Sequence, residues 1–172
     1  MHIFLRLISL LSLLLCGAIF GFFYAWVCSI LWGLDQIDPN TAITAMQAMN
    51  ASVRNVVFAP AFFATPVVML AGALLAFSCC NRHAALCFTT SDLVYGFGGI
   101  VLTMAINVPL NQALALIVTP LAPTQASTVG SAYSETWQFW NIIRTCAAAV
   151  ALLLTGLGLL KLTQTGRDSV NA

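Results

Sequence analysis

The stretch WQFWNIIRTCAA at 137–148 carries the residues of this 172-residue chain that are best suited to polar chemistry. Trp137, Asn141 and Arg144 are spaced i, i+4 and i+7, so they share one face of a helix. An amide side chain donates and accepts hydrogen bonds, whereas a guanidinium only donates them. Together the three side chains predict one polar face that turns towards partners inside the protein.

Two further stretches repeat this arrangement elsewhere in the chain. They carry Gln47, Asn50 and Arg54 at i, i+3 and i+7, and Asn107 and Asn111 at i and i+4. Pro109 lies between the two asparagines and favours a kink or a stop, because proline has no backbone N–H. The carbonyls left without a donor need partners, so this stretch also predicts an inward-facing polar cluster.

The composition places these residues in a membrane protein. Hydrophobic residues make up 60% of the chain and charged residues 6%, whereas about a quarter of a soluble domain is charged. The surface must therefore be covered by lipid, and the lipid bilayer is the predicted partner. The net charge of +1, without a basic tract, argues against nucleic acid binding.

No metal site, cofactor or nucleophilic centre is predicted. His2 and His83 are the only histidines, and no His, Asp or Glu cluster has the spacing of metal ligands. No Ser–His pair is available for nucleophilic catalysis. The six cysteines form no C-x-x-C pair and lie mostly in apolar runs, where cysteine behaves as a small hydrophobe.

Four segments are long and apolar enough to cross a bilayer, which takes roughly 20 residues. They run over about 3–34, 56–78, 84–106 and 139–160. The predicted fold is all-α, a polytopic membrane protein built as a four-helix transmembrane bundle, with 1–172 as a single membrane domain. A short amphipathic helix is predicted in the first outer connection, with Asp38 or Asn40 as its cap.

The basic residues predict the orientation of the bundle. Arg6, Arg82, Lys161 and Arg167 lie at the two termini and in the short turn between the second and third spans. Cytoplasmic loops are rich in Lys and Arg, so both termini are expected in the cytoplasm. The connections at about 35–55 and 107–136 then face outward, towards the periplasm if the protein is bacterial. All three polar stretches therefore belong to the same outer end.

Arg144 needs a partner, because an arginine at the centre of a membrane helix costs about 2.5–3.5 kcal/mol on insertion scales. The candidate partners are Asp35, Asp38, Glu135, Asn107 and Gln47. Alternatively, Arg144 extends to the lipid head groups, Trp137 and Trp140 belong to an interfacial belt, and Asn107 and Asn141 only join helices. The convergence of three distant stretches favours a shared polar pocket for a small lipophilic molecule.

The segments MQAMN at 46–50, NVPLNQAL at 107–114 and WQFWNIIRTCAA at 137–148 occur in this order. In sequence and order they resemble the anthrone oxygenase-like family of small integral membrane proteins, also called DUF1772. The resemblance extends over approximately residues 20–160. It implies oxygenation of an anthrone to an anthraquinone by molecular oxygen, without a metal or a flavin.

The resemblance also implies roles for the polar residues. Arg144, Asn141 and Asn107 are the implied catalytic residues, which hold the enolate oxygen of the substrate. The implied substrate-binding residues are Gln47, Asn50, Asn111 and Trp137, with Trp137 stacking on the ring. Asp35, Asp38 and Glu135 are the only carboxylates at the outer end and hence the only candidates for a general base.

Two other functions are compatible with the same residues. The polar stripes suit a non-enzymatic membrane protein that binds a lipid, a quinone-like ligand or a partner protein. They also suit a structural bundle in which amides and the guanidinium only fix the helix register. The sequence leaves a homo-oligomer open and does not identify the substrate.

Overall fold

The computed structural model describes the backbone of residues 2–168 and the side chains of residues 3–163. Arg167, used above for the orientation, lies outside the described side chains. Within the described range the chain is almost entirely helical. Its α-helices are α1 (His2–Ala25), α2 (Leu31–Leu34), α3 (Pro39–Ser52), α4 (Phe58–Ser78), α5 (Arg82–Tyr95), α6 (Val108–Ala115) and α7 (Pro123–Asp168). Three π-helical segments, Trp26–Ile30, Gly96–Val101 and Thr103–Asn107, join successive α-helices without a break.

Four helical stretches are long and apolar enough to cross a membrane. They are Ile3–Leu34, Phe58–Ser78, Arg82–Ala115 and Pro123–Thr163. In the most apolar 18 residues of each stretch, only 17–33% of the residues are buried inside the protein. Most of their large apolar side chains therefore face outward, which is the pattern of a bundle surrounded by lipid. The predicted all-α bundle of four membrane-spanning helices is confirmed.

The first and second spans begin and end within two residues of the prediction, but the third and fourth are longer. The third helix does not end at residue 106 and continues past Pro109 to Ala115. The π-helical segment Thr103–Asn107 lies in the turn just before the proline, where a regular α-helical hydrogen bond is lost.

The fourth helix begins at Pro123, well before the predicted start at residue 139. Hydropathy alone does not reveal this part, because STVGSAYSETWQ is polar. The extra turns are stabilised by packing: Ala126 and Trp137 are buried in a cluster with Trp26 and Leu114. The predicted outer connection is therefore mostly helical, and it forms a small helical layer at one end of the bundle.

The predicted amphipathic helix is α3, which helps to build this layer. Asp38 caps it by accepting a hydrogen bond from the Thr41 backbone N–H at 2.9 Å, and this bond lowers the pKa of Asp38. Ile43 and Met46 are buried in the same cluster as Leu114 and Trp137 of α6 and α7. We call this side of the molecule the α3 end.

The opposite half of the bundle is joined by buried hydroxyl groups. Ser91 Oγ lies 2.6 Å from the Ala151 carbonyl oxygen and 2.8 Å from Thr155 Oγ1. Cys16 Sγ lies 3.7 Å from the same Thr155 hydroxyl. These contacts connect α1, α5 and α7 within the membrane-spanning part of the bundle, where interhelical hydrogen bonds contribute about 0.6 kcal/mol each.

The third and fourth helices are in tight contact at Gly98. A Cβ atom added to Gly98 would overlap the Cβ atom of Ala147 on α7, whereas one added to Gly96 would meet no atom within 4 Å. Close helix packing of this kind depends on small residues on both sides.

We predict that Gly98→Ala destabilises the bundle by about 1–3 kcal/mol through overpacking, whereas Gly96→Ala is neutral or slightly stabilising. Thermal unfolding of the purified variants in detergent measures both effects. The double variant Gly98→Ala with Ala147→Gly should recover most of the loss, because it restores the space. Equal melting temperatures for the two single variants would show that this contact is not tight.

Candidate functional site

A cavity of about 400 Å³ lies at the α3 end, where α1, α3, α4, α7 and the third helix meet. Its size falls within the range of about 300–1,000 Å³ that is typical of small-molecule sites. Polar side chains from three separate parts of the chain line it: Asn50, Arg54, Thr103, Asn107, Asn111, Gln112 and Arg144. The three polar stretches found in the sequence therefore meet in one place.

Arg144 is buried in the wall of this cavity, with only 4% of its surface exposed. Its Nη2 donates to Asn141 Oδ1 at 2.7 Å, and its Nη1 donates to Thr103 Oγ1 at 3.1 Å. The guanidinium carbon lies 4.6 Å from the ring centroid of Phe23 and 5.1 Å from that of Trp137. None of the expected partners holds it, and neither hydrogen-bond acceptor carries a charge. The burial of Arg144 also excludes its extension to the head groups.

Asn141 holds Arg144 in position and does not line the cavity itself. It lies one turn before the arginine on α7 and is 1% exposed. Its Nδ2 donates to the Phe23 carbonyl oxygen of α1 at 3.2 Å, which leaves Oδ1 to accept from the guanidinium. Asn141 therefore contributes to the site indirectly, because its hydrogen bond fixes the orientation of the Arg144 guanidinium.

Asn107 is a buried residue of the cavity wall whose amide has no partner among the described residues. It is 1% exposed, and neither its Nδ2 nor its Oδ1 forms a hydrogen bond with any described residue. Arg144 Nε is likewise buried without a partner. Both residues line the cavity. An unpaired buried polar group costs about 1–3 kcal/mol, so a water molecule or a ligand that pairs with these atoms would stabilise the site.

Two further polar residues of the cavity wall, Asn50 and Asn111, belong to one chain of hydrogen bonds. Asn50 Nδ2 donates to the Tyr133 hydroxyl at 3.1 Å, and this hydroxyl donates to Asn111 Oδ1 at 2.8 Å. Trp137 Nε1 donates to the same oxygen of Asn111 at 2.9 Å. Because two donors occupy its oxygen, Asn111 offers the cavity its NH₂ group. Trp137 is buried and hydrogen-bonded, so it is not a belt residue.

Gln47 lies outside the cavity. Its Nε2 donates to the carbonyl oxygens of Leu114, in the last turn of α6, and of Ile117, just beyond it, at 2.8 and 2.9 Å. Carbonyls at the end of a helix lack the regular helical donors, so Gln47 acts as a C-terminal cap. The structure therefore brings Asn50 to the cavity but directs Gln47, three residues earlier, to the helix end.

The three candidate bases also lie elsewhere. Asp35 accepts hydrogen bonds from Ser134 Oγ at 2.7 Å and from Gln138 Nε2 at 3.0 Å, and Asp38 caps α3. Asp35 and Glu135 line a separate, smaller cavity of about 210 Å³. Among the described residues, no carboxylate lines the larger cavity, and no group of His, Cys, Asp and Glu is arranged to hold a metal ion.

Aromatic side chains form the apolar wall of the larger cavity. Phe22 and Phe58 have ring centroids 4.6 Å apart, and Phe58 stacks on Phe62 at 5.4 Å. Trp26 and Trp137 lie 5.2 Å apart, and Trp26 also packs against Phe22 at 6.3 Å. Flat faces of this kind suit an aromatic ligand, since aromatic pairs prefer centroid distances of about 4.5–7 Å.

Two hydrogen-bonding residues of the site were not predicted, although the sequence contains a signal for each. Thr103 precedes Asn107 and Asn111 by one and two turns, at i−4 and i−8. Tyr133 precedes Trp137 by one turn, but it lies outside the predicted fourth span. Extending each stripe by one helical turn would have found both.

A comparison with known families now becomes informative, because the geometry and the sequence point to the same residues. The sequence profile of the family described as anthrone oxygenase matches residues 54–154. The chain belongs to the anthrone oxygenase family. The match includes the segments around Asn107 and Arg144, whereas MQAMN at 46–50 precedes it. Comparisons with curated proteins and with solved structures gave no match.

In this member of the anthrone oxygenase family, the matched segment provides most of the polar cavity, including Arg54, Asn107 and Arg144. The wall formed by Phe22, Phe23 and Trp26 comes from α1, before the matched segment. The site combines unpaired hydrogen-bond donors with an aromatic, water-poor wall. Such an arrangement can stabilise negative charge on an oxygen atom, because charge interactions are stronger where water is excluded.

We predict opposite stability effects for the two asparagines of the third helix. Asn107→Leu should stabilise the ligand-free protein by about 1–3 kcal/mol, because it removes an unpaired buried amide. Asn111→Leu should destabilise it, because Tyr133 and Trp137 then lose their common acceptor. Thermal unfolding in detergent compares the two variants, which lie one helical turn apart in the same wall. If both variants unfold at lower temperature by a similar amount, Asn107 has partners inside the protein after all.

Proposed function

We propose that this protein binds a flat lipophilic aromatic molecule in the larger cavity and promotes its oxygenation by molecular oxygen. The observation that carries the proposal is the unpaired amide of Asn107 in the same cavity wall as the buried guanidinium of Arg144, together with the aromatic rings that line the cavity. Donors aimed at one oxygen of a bound aromatic favour the ionised form of that oxygen. Membership of the anthrone oxygenase family supports an anthrone as the substrate class.

The chemistry needs only the ionised ligand and oxygen. Loss of a proton from an anthrone gives an enolate, which transfers electrons to O₂ and forms a C–O bond at the former methylene carbon. The resulting hydroperoxide loses the remaining C–H proton and its O–O bond breaks, which leaves a carbonyl and water. One methylene and one O₂ thus give one quinone carbonyl and one water.

The residues divide this work between binding and charge stabilisation. Arg144 Nε and the Asn107 amide would bind the enolate oxygen, and Asn111 would offer its NH₂ group to a second polar position. Asn141 and Thr103 would hold the guanidinium in place. Trp137 would cover the ring and shield it from water.

Among the described residues of the cavity wall, none is a carboxylate that could accept the proton of the substrate. We propose that the site selects the enolate rather than making it with a dedicated base. The guanidinium would lower the pKa of the bound ligand, and water at the open side of the cavity would take the proton. Asp35 would then be dispensable for turnover.

A non-enzymatic function remains the second candidate, and the same missing carboxylate favours it. In that case the cavity would bind a quinone-like or other lipophilic ligand without changing it. Oxygen uptake separates the two functions: a ligand that binds at the cavity but consumes no oxygen supports binding alone.

We predict that membranes containing the protein consume oxygen and form anthraquinone when a reduced anthrone is supplied under air. Arg144→Met should lower this turnover by about 100-fold or more, since removal of one oxyanion donor has effects of about 10²–10³. Asp35→Asn is the matched control and should keep turnover within about twofold. Oxygen-electrode traces and quinone absorbance measure both variants.

Turnover is compared only for variants that elute from size-exclusion chromatography as monodisperse particles and retain the helical circular dichroism spectrum. Wild-type turnover in folded Arg144→Met would contradict the proposed role of the guanidinium. Loss of turnover in Asp35→Asn would instead identify a carboxylate base that acts from outside the cavity.

We also propose that both termini lie in the cytoplasm and that the α3 end faces the other side of the membrane. Arg6 is near the start of α1, and Arg82 and Lys161 lie at the end of the bundle opposite α3. Green fluorescent protein fused to the C-terminus should fluoresce, and alkaline phosphatase fused there should be inactive. The reverse result would place the cavity on the cytoplasmic side.

A further inference from the structure

The larger cavity is lined by a second arginine, Arg54, whose guanidinium forms no hydrogen bond with the described residues. Arg54 lines the cavity and is exposed, in the short segment between α3 and α4. Its backbone N–H donates a hydrogen bond to the Ala51 carbonyl oxygen at 3.3 Å. No described residue forms a hydrogen bond or an ion pair with its guanidinium.

The cavity wall therefore carries two positive charges and, among the described residues, no negative one. Arg144 supplies the buried charge and Arg54 the exposed charge. Uncompensated charges of one sign at a concave apolar site attract ligands of the opposite sign. A ligand with a single ionised oxygen would neutralise Arg144 and leave Arg54 unpaired.

The open side of the cavity shows where a second anionic group of the ligand would lie. Phe63 and Met104 line the cavity and are each 50% exposed, on the membrane-spanning parts of α4 and the third helix. Arg54 precedes α4, and Gln112 lies two turns after Met104. The opening thus runs from an apolar edge, next to the lipid tails, to a polar edge at the end of the bundle.

We propose that Arg54 makes the site selective for aromatic ligands that carry an acidic group, such as a ring carboxylate, at the end remote from the oxygen that Arg144 binds. This inference rests on the proposed binding of an aromatic ligand in the cavity. The enolate or quinone oxygen enters towards Arg144 and Asn107, the rings lie along the phenylalanine wall, and the carboxylate stays at the polar edge beside Arg54. A guanidinium suits this role, because it binds carboxylates through two parallel hydrogen bonds.

The experiment compares two stable probes, anthraquinone and anthraquinone-2-carboxylate, by equilibrium quenching of tryptophan fluorescence in non-ionic detergent. Each probe is titrated into the wild type, Arg54→Gln and Arg82→Gln. Arg82→Gln is the matched control, because it removes the same charge from an exposed site that does not line the cavity. Differences in detergent partitioning between the probes cancel when the ratio of the two dissociation constants is compared among variants.

We expect Arg54→Gln to reduce the preference for the carboxylate by about fivefold, as for a partly exposed ion pair. Arg82→Gln should leave the preference unchanged, and both variants should bind neutral anthraquinone as the wild type does. Arg54→Glu should reverse the preference. An unchanged ratio in Arg54→Gln overturns the proposal.

A lipid phosphate is the other anion that Arg54 can bind at the membrane surface. The titrations are therefore repeated in nanodiscs that contain an anionic phospholipid. A carboxylate preference in both media supports the proposal. A preference that is present in detergent and absent in anionic nanodiscs assigns Arg54 to the lipid phosphate and overturns it.

The outcome is independent of the oxygenase activity, because binding is measured with the oxidised product. Selective binding without oxygen uptake in the anthrone assay would support the role of Arg54 and contradict the enzymatic proposal. If oxygen is taken up, but the wild type and Arg54→Gln show the same preference for the carboxylate probe, the enzymatic proposal is supported and the role of Arg54 is contradicted.

Discussion

The structure of the α3 end depends on one buried guanidinium that is held without a carboxylate. Arg144 is 4% exposed and is supported by an amide, a hydroxyl and two aromatic faces. These neutral partners offset part of the free-energy cost of burying the charge, since hydrogen bonds and ring quadrupoles replace part of the lost hydration. It leaves the positive charge available, because no counter-ion in the described chain neutralises it. A carboxylate partner would have made Arg144 a structural ion pair, and would have left little attraction for an anionic ligand.

The surrounding elements follow from the need to hold this group in a membrane bundle. Asn141 is fixed by the Phe23 carbonyl of α1, so the direction of the guanidinium depends on the contact between α1 and α7. The π-helical segment Thr103–Asn107 brings both Thr103 and Asn107 to the cavity, and π-helical turns are often found at functional sites. Elsewhere in the bundle, packing is tight and hydroxyl groups are paired, as at Ser91 and Thr155. Unpaired polar atoms are thus concentrated where a ligand would pair with them.

Much of this arrangement was predictable from helical spacing and hydropathy. The four spans and the polar stretches around Asn50, Asn107 and Arg144 follow from a period of 3.6 residues and from apolar runs of sufficient length. The partner of Arg144 was not predictable, because the choice between a carboxylate and an amide depends on the rotation of each helix about its axis. Gln47 shows the same limit: it shares a stripe with Asn50, yet a nearby helix end takes up its amide. The early start of α7 was missed because tertiary packing, rather than hydropathy, stabilises its first turns.

The central claim is that Arg144 and Asn107 bind an oxygen atom of an aromatic ligand inside the larger cavity. A structure of the full-length protein with anthraquinone bound tests it most directly. The account predicts one quinone oxygen within about 3.2 Å of Arg144 Nε or the Asn107 amide, with the rings against Phe58 and Phe62. A ligand bound in the smaller cavity or on the lipid-facing surface, with the Asn107 amide still unpaired, would contradict the account.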